Sequence, residues 1–320
     1  MLNYYDLSGK KFGKLTVKKF AGYHFEKSRK KNVSKWLCEC ECGGSKIIKR
    51  HLLIKGNTKS CGCLVVAKYK IDEKYFEKID TQDKAYFYGF ILTDGNIENN
   101  RSKRITIKIG LKDKPILESF RKYLKTNKPL ETHKSRFTMY GNYKVKSGAG
   151  AAIVISNVKM VKDIIKLGLN PAKTKKVQFP DNTIIPHKYM HHCIRGIFDG
   201  DGTSGIGHIQ IISGSKIFLS KFKYYLQDRY KINSYIIEYK RTVKATNSIT
   251  NYWVLCISAS FSGKESSGIK RVGKTGQFKA IPKKLQKLNQ KLFYKTIYAN
   301  CNKDLYLKRK KEKLKKYLFN

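Results

Sequence analysis

The sequence predicts an α+β fold in which two comparable halves follow a small N-terminal unit rich in cysteine. An apolar run with an internal glycine that closes on Asp-Gly occurs at residues 87–95 and again at residues 194–202. After each copy the apolar residues change from helical spacing to alternation, which is typical of strands. Five of the eight cysteines lie between Cys38 and Cys63. We expect domains at residues 1–68, 69–183 and 184–320.

The composition indicates an intracellular protein that binds a polyanion. The net charge is +45 over 320 residues, and self-repulsion of this size is relieved when an anionic partner screens it. Nucleic acid is the first candidate partner, and an anionic membrane surface is the second. No apolar run is long enough to span a membrane, and the first six residues are not typical of a signal peptide. The clustered cysteines do not resemble a secreted disulfide framework, so a reducing compartment is favoured.

The cysteine cluster predicts a zinc site in the N-terminal unit. Residues 36–43 alternate like a strand, which places their three cysteines on one face. Residues 56–63 form a glycine-rich turn with two more cysteines. Thiolates from two loops suit a tetrahedral structural zinc, which would stabilise so small a unit. The expected ligands are Cys40, Cys42, Cys61 and Cys63, with Cys38 as a possible fifth thiolate and His51 as a competitor. Buried free thiols are the alternative.

Each repeated motif predicts a buried helix with a glycine inside it. The first helix is expected to begin after Asp80 or Thr81 and to run to Leu92, and the second to span residues 189–198. Gly89 and Gly196 lie within these runs. Because glycine inside a helix costs about 1 kcal/mol relative to alanine, each glycine indicates close approach of another backbone.

The two motifs also predict a pair of acidic residues at helix ends. Gly95 and Gly202 are expected to be left-handed helix caps, so Asp94 and Asp201 would be at the C-termini of their helices. That end carries partial negative charge, which disfavours a carboxylate. A bound divalent cation would remove the penalty. If the helices pack along their glycines, the two aspartates lie side by side.

The rest of each half predicts an alternation of strands and helices. Residues 104–109 form a strand whose polar face carries Arg104, Thr106 and Lys108, groups suited to a DNA groove. In the first half we expect a helix at 115–124, strands at 131–140 and 151–156, and a helix at 158–167. A linker follows at 171–187. In the second half we expect strands at 208–212, 234–239 and 252–258, a helix at 217–226, a loop at 261–278 and a basic helix at 305–314.

The two motifs resemble the paired motifs of the LAGLIDADG (dodecapeptide, or DOD-type) homing endonucleases, in their two-motif single-chain form. The resemblance implies two pseudo-symmetric αββαββα-like halves with saddle-shaped antiparallel sheets over double-stranded DNA. It implies a monomer that cuts an asymmetric site, as intron homing of a mobile element requires. Asp94 and Asp201 would hold Mg²⁺ or Mn²⁺, together with the backbone of Gly95 and Gly202. The family's basic active-site residues would correspond to Lys173 or Lys175, and to Lys308.

The N-terminal segment resembles a small cysteine domain that precedes nuclease modules in phage-type proteins. The shared elements are Phe-Gly-Lys-Leu-Thr-Val at residues 12–17, Trp-x-Cys-x-Cys-x-Cys-Gly at residues 36–43 and Ser-Cys-Gly-Cys at residues 60–63. This resemblance implies a zinc-ribbon-like unit that contacts DNA beside the main site.

Other interpretations remain. A single Asp-Gly after an apolar run is ordinary turn chemistry, and only its repetition argues otherwise. A protein that kept the fold but not the cleavage, such as a maturase or a repressor, fits the same pattern. The match departs from the family at the start of each motif (Phe87-Tyr88 and Ile194-Arg195) and at Leu92, where the second copy keeps the family's residue as Asp199. His191 and His192 lie on the second motif helix, where packing or solvation is favoured over chemistry.

Overall fold

A computed structural model describes most of the chain, which divides into two compact units between Tyr69 and Lys70. The residues described are 5–26, 30–41, 43–62, 69–99, 103–140, 143–171, 175–205, 208–243, 248–257 and 283–319. The predicted loop at 261–278 lies outside these ranges.

The N-terminal unit is a four-stranded antiparallel sheet with one short helix. Its strands pair in chain order: β1 Lys11–Phe12, β2 Leu15–Glu26, β3 Lys31–Cys40 and β4 Ser45–Lys49. Helix α1, Arg50–Ile54, follows. Trp36, Cys38 and Cys40 alternate along β3 and are all buried, because successive side chains of a strand point to opposite faces. They pack with Leu15, Val17 and other apolar residues in a small core of their own.

The second unit contains the remaining elements. Its first part has α2 Gln82–Asp94, β5 Gly95–Glu98, β6 Arg104–Gly110, α3 Lys114–Tyr123, β7 Glu131–His133, β8 Arg136–Tyr140, β9 Tyr143–Ser147, β10 Gly150–Ser156 and α4 Val158–Lys166. Its second part has α5 His187–Asp201, β11 Gly202–Gly205, β12 His208–Ser213, α6 Lys216–Tyr230, β13 Tyr235–Val243, β14 Ser248–Ile257, α7 Lys283–Ile297 and α8 Lys308–Phe319.

Two four-stranded antiparallel sheets share one strand order. The first is β5-β6-β10-β7 and the second is β11-β12-β14-β13. In each, a helix follows the second strand and the last strand of the chain lies in the interior. The hairpin β8-β9 is an addition in the first part. The predicted α+β fold with antiparallel sheets is therefore confirmed.

Alternating apolar residues fix the sheets against the helices. Ile105 and Ile107 on β6 are buried opposite Ile155 and Ile153 on β10. The polar residues that alternate with these isoleucines along β6 face the other side of the sheet. Among them, Lys108 is exposed, whereas Thr106 is only 7% exposed.

The single strand predicted at residues 131–140 is wrong. Residues Glu131–His133 pair with β10, whereas Arg136–Tyr140 pair with β9 in a separate hairpin. The chain changes partner at Lys134 and Ser135, and no local pattern in the sequence marks a change of strand partner. Within the described ranges, no helix is long and apolar enough to cross a membrane.

Candidate active site at the ends of two packed helices

Helices α2 and α5 pack with their backbones in close contact at the two motif glycines. A Cβ added to Gly89 would overlap the carbonyl oxygen of Cys193, and one added to Gly196 would overlap the carbonyl oxygen of Tyr86. Helix α2 is buried on all sides from Ala85 to Leu92, as expected of a helix that is apolar all round. The glycines are therefore required for the packing of α2 against α5.

Both helices end at the predicted aspartates, but the predicted left-handed caps are wrong. Gly95 has φ −79° and ψ 144°, and Gly202 has φ −78° and ψ 144°, which are extended conformations. Each glycine is the first residue of a strand, so the chain turns directly from helix to sheet. Glycine is needed at these positions because there is no room for a side chain. A Cβ at Gly95 would lie 2.6 Å from the carbonyl oxygen of Ile91. At Gly202 a Cβ would overlap Phe198.

The two helix ends bring the motif aspartates into one small region. A Cβ on Gly200 would lie 3.4 Å from Oδ2 of Asp94, so this carboxylate borders the residue that precedes Asp201. Asp94 and Asp201 are both exposed. Two carboxylates at the negative ends of two helices form a site of strongly negative potential.

Lys310 counters that potential from helix α8. Its Nζ donates hydrogen bonds to the carbonyl oxygens of Phe198 (3.0 Å), Gly200 (2.9 Å) and Gly202 (2.7 Å). The side chain is buried, and burial lowers the pKa of Lys310, while the charges of Asp199, Asp94 and Asp201 raise it. An ammonium group at the C-terminus of a helix is the favourable counterpart of a carboxylate at that end.

The predicted lysines are placed differently. Lys308 is the first residue of α8 and is exposed, Lys175 is exposed in the segment before α5, and Lys173 lies outside the described residues. Lys310 was missed by the sequence analysis, although a signal exists. Leu307, Lys310, Leu314 and Leu318 are spaced three or four residues apart and are all buried, so Lys310 lies on the apolar face of α8.

A buried polar network lies behind the helix ends. Asp199 is 1% exposed and its Oδ2 accepts hydrogen bonds from the Tyr86 hydroxyl and the Leu307 amide, both at 2.9 Å. Burial raises the pKa of Asp199 to about 6, opposed by these hydrogen bonds and by Lys310 and Arg195. Arg195 donates to the carbonyl oxygens of Leu305 (2.7 Å) and Ile297 (2.8 Å).

One of the two adjacent histidines, His192, belongs to this network. Nδ1 of His192 lies 2.8 Å from NH1 of the buried Arg195. Because a guanidinium can only donate, that nitrogen of His192 must accept, and the ring is neutral. Burial first, and then the Arg195 charge, lower the pKa of His192 to about 3. The packing role predicted for this residue agrees with its surroundings.

The donor set suits a hard divalent cation rather than a closed protein cage. In the described ranges, no three side chains of His, Cys, Asp or Glu form a group placed to hold a metal ion. Asp94 and Asp201 supply two carboxylates beside backbone carbonyls. Mg²⁺ is commonly held by one or two carboxylates and completes its shell with water and phosphate oxygen. The residues present therefore fit a magnesium-type ion.

In the N-terminal unit, the two cysteine-bearing loops are both hydrogen-bonded to the backbone of Lys14. The Lys14 amide donates to the carbonyl oxygen of Lys59 (2.8 Å), and the Lys14 carbonyl accepts from the Glu41 amide (2.9 Å). Cys40 is buried in the core of this unit and Cys61 packs against it. The thiol of Cys38 faces the carbonyl oxygen of Trp36 at 3.7 Å, and burial raises its pKa. Cys42 and Cys63 lie outside the described residues.

Two hairpins present basic and aromatic groups to solvent. On β8-β9, the ammonium groups of Lys144 and Lys146 lie 4.6 and 5.7 Å from the ring centre of the exposed Phe137. On β13, Lys240 and Arg241 are exposed near Tyr239, which stacks on Tyr252 with ring centres 5.4 Å apart.

Comparison with known proteins identifies a domain in the second part of the chain. Residues 189–261 match a family model described as a LAGLIDADG-like domain, a segment that starts inside α5 and includes Asp201. No curated protein matches the chain.

Several solved structures are similar to it at low identity. The homing endonuclease I-WcaI bound to its DNA recognition sequence is 16% identical, with a TM-score of 0.44 over 76% of this chain and 91% of that chain. I-DmoI in complex with DNA and calcium is 14% identical, with a TM-score of 0.34 over 58% and 84%. Full-length DUF199/WhiA from Thermatoga maritima is 12% identical, with a TM-score of 0.37 over 76% and 64%. These scores are too low to transfer a function, so the site is interpreted from its own residues.

Proposed function

We propose that this protein is a metal-dependent endonuclease that hydrolyses phosphodiester bonds in both strands of double-stranded DNA. The observation that carries the proposal is the position of the Asp94 carboxylate, which borders Gly200 and hence Asp201 where two glycine-packed helices end. The LAGLIDADG-like domain at residues 189–261 supports it. The chain would then be a two-motif, DOD-type homing endonuclease of the kind carried by mobile elements.

Asp94 and Asp201 would hold Mg²⁺ or Mn²⁺, with help from the backbone of Gly95 and Gly202. A bound ion of this type supplies positive charge to the scissile phosphate and lowers the pKa of an attacking water. The Gly202 carbonyl already accepts a hydrogen bond from Lys310, so the ion and Lys310 would share that oxygen, which has two lone pairs. We propose Lys310, in place of Lys308, as the basic residue of the second helix end, where it keeps positive charge beside the phosphate. Lys173 or Lys175 remains the candidate for the first.

DNA binding would use the exposed faces of the two sheets and the two basic hairpins. The shared strand order supports two pseudo-symmetric halves that form a saddle over the duplex, and the difference in their sequences implies an asymmetric target cut by a monomer. Lysine and arginine contacts to phosphate release counterions and supply most of the affinity. We expect binding to weaken steeply with salt.

The N-terminal unit would bind a structural zinc through Cys40, Cys42, Cys61 and Cys63. The joint hydrogen bonding of Lys14 to both cysteine loops supports this set, and the thiol of Cys38 faces a backbone carbonyl instead. The unit would be zinc-ribbon-like and would contact DNA beside the main site.

One observation favours a second candidate, a DNA-binding protein that does not cut. Lys310 places a positive charge against the end of α5, so the acidic site is partly neutralised without a metal. In such a maturase or repressor, the two aspartates would only terminate their helices and would hold no catalytic metal.

The test is cleavage selection from a randomised duplex library with purified protein, in Mg²⁺ and in EDTA. We expect discrete double-strand cuts at one family of sites in Mg²⁺ and none in EDTA. Enrichment of bound sequences without cuts would replace the endonuclease with the binding protein. Cuts that persist in EDTA would show that the acidic site does not use a metal.

A further inference from the structure

Asp199 is a buried charge at a position where the first half has none. It stands in the second motif where the first motif has Leu92, which is also buried. Burial of a carboxylate is costly unless hydrogen bonds and charges compensate. Asp199 has that compensation on Oδ2, from Tyr86 and Leu307. A residue that carries this cost at the end of a motif helix requires an explanation.

The hydrogen bond from Leu307 places Asp199 at the start of helix α8. The carbonyl oxygen of Leu307 accepts hydrogen bonds from the amides of Lys310 (3.0 Å) and Lys311 (3.1 Å), so Leu307 begins the first turn of α8. The first amides of a helix lack partners within it, and a carboxylate there is favourable. Asp199 therefore anchors the N-terminus of α8 to α5.

The first turn of α8 also contacts the end of α5, through the side chain of Lys310. The three carbonyl oxygens that accept from Lys310 belong to Phe198, Gly200 and Gly202. These residues bracket Asp201 on both sides. Asp199 and Lys310 thus connect the two helices in both directions. The Asp199 carboxylate of α5 binds the start of α8, and the Lys310 ammonium of α8 binds the C-terminal end of α5.

Two further residues support the connection between α5 and α8. Tyr86 joins helix α2 to it through its hydroxyl. The guanidinium of Arg195 lies 5.2 Å from the ring centre of Tyr86 and donates to backbone oxygens of the segment before α8. Asp199, on α5, is therefore bonded to α2 through Tyr86 and to the start of α8 through Leu307.

We propose that Asp199 is a positioning residue that acts through Lys310, so that α8 holds the backbone around Asp201 in the geometry the reaction requires. This inference rests on the proposed endonuclease function as far as catalysis is concerned. Its structural half, the dependence of Lys310 on Asp199, stands independently of any cleavage. The first helix end has Leu92 at the equivalent position, and a leucine side chain cannot accept a hydrogen bond.

The test measures the exposure of Lys310 directly. Wild type and the variants Asp199→Leu, Asp199→Asn and Tyr86→Phe are treated with an amine-acylating reagent in the absence of metal and DNA, and labelling of each lysine is followed by mass spectrometry. We expect Asp199→Leu to raise the labelling rate of Lys310 about tenfold or more. Without the Asp199 carboxylate, the start of α8 should open more often and expose the Lys310 amine to the reagent. Labelling of Lys308, exposed on the same helix, serves as the internal control and should not change.

The same variants are then assayed on DNA. With Ca²⁺ present, we expect affinity for the target within about twofold of wild type, and with Mg²⁺ a single-turnover cutting rate lowered about tenfold or more. Asp199→Asn, which keeps an acceptor for Leu307, should recover most of the rate, and Tyr86→Phe should have the smallest effect.

Two outcomes would overturn the inference. One is a folded Asp199→Leu protein in which Lys310 stays as protected as in wild type. The other is loss of DNA affinity in parallel with cutting, which would make Asp199 a general structural residue. If Asp199→Leu does not fold, the decision passes to Asp199→Asn, which removes the carboxylate charge that acts on Lys310 and should still raise Lys310 labelling, though less than Asp199→Leu. Unchanged Lys310 labelling in Asp199→Asn would then reject the inference. If wild type does not cut DNA, the endonuclease proposal fails while the labelling result still decides the role of Asp199.

Discussion

The ammonium of Lys310 lies 2.7 Å from the carbonyl oxygen of Gly202, the residue that follows Asp201. This contact joins the basic C-terminal helix to the acidic end of the second motif helix. It explains how carboxylates remain at a helix end whose backbone carries partial negative charge. It also gives the two motif helices different surroundings, because the anchoring residues Asp199 and Lys310 belong to the second helix end.

Replacement of Lys310 should destabilise the protein and impair the site. Lys310→Met keeps the alkyl chain but removes the buried ammonium that donates to three carbonyl oxygens, so we expect a loss of about 1–3 kcal/mol in the free energy of unfolding. Chemical denaturation followed by circular dichroism measures this. The control, Lys308→Met, alters an exposed lysine on the same helix and should change stability by less than about 0.5 kcal/mol. Equal effects of the two substitutions would contradict the role given to Lys310.

The motif glycines should not tolerate a methyl group. Gly89→Ala and Gly196→Ala each force a Cβ into a backbone carbonyl of the partner helix, so we expect a loss of about 3 kcal/mol or more in unfolding free energy, at the upper end of overpacking costs. The matched control is Gly110→Ala, since a Cβ there meets nothing within 4 Å and φ is −61°. Thermal melts of the three variants decide it: destabilisation by Gly110→Ala as large as that of the motif variants would refute the packing argument.

Titration of His192 should lower stability on mild acidification, against an opposite contribution from Asp199, whose pKa burial raises to about 6. The ordinary pKa of histidine is 6.5, and burial with the nearby Arg195 and His191 lowers the pKa of His192 to about 3 in the folded protein. The unfolded chain therefore takes up a proton that the folded one refuses. The contribution of neutral His192 is complete above pH 6.5 and is lost as the pH falls toward 3, which amounts to about 1 kcal/mol at pH 5.5.

The measurement is the urea midpoint at pH 7.5 and 5.5, without metal or DNA. His192→Gln retains an acceptor for Arg195 but does not titrate, so on acidification its midpoint should fall less than that of wild type, or rise because Asp199 takes up a proton. His191, whose pKa burial also lowers, leaves a residual slope in the variant. A slope as steep as that of wild type would remove His192 from the explanation.

The zinc proposal separates the five clustered cysteines. Native mass spectrometry of the purified protein should show one zinc ion, and Cys40→Ser or Cys61→Ser should lose it together with stability of the N-terminal unit. Cys38→Ser should keep the ion, because the Cys38 thiol faces the Trp36 carbonyl at 3.7 Å. Loss of zinc from Cys38→Ser with retention in Cys40→Ser would reverse the assignment.

Much of this architecture could be predicted from the sequence because local and tertiary signals agree. Gly89 and Gly196 predict a close helix pair, and alternation along residues 104–109 predicts one buried and one polar face. Asp94 and Asp201 are at the helix ends that their Asp-Gly pairs predict.

Other features depend on tertiary partners that no local pattern encodes. Glycine is required at positions 95 and 202 because the preceding turn leaves no room for a Cβ, and this requirement gives the same sequence signal as a left-handed cap. The break between β7 and β8 follows from a change of pairing partner. The departure from the motif that the sequence shows is at Leu92, whereas Asp199 follows the motif, and only the position of Leu307 shows what Asp199 contacts.

The measurement that tests the central claim most directly separates binding from cutting at the two aspartates. Wild type, Asp94→Asn and Asp201→Asn are assayed on one duplex recovered from the library, for affinity in Ca²⁺ and for double-strand cleavage in Mg²⁺. The account predicts affinities within about threefold of wild type and cleavage reduced by about a thousandfold or more in each variant, since removal of a charged metal ligand disables the chemistry rather than the fold. Cleavage at the wild-type rate by either variant, with its DNA affinity unchanged, would contradict the claim that Asp94 and Asp201 form the active site.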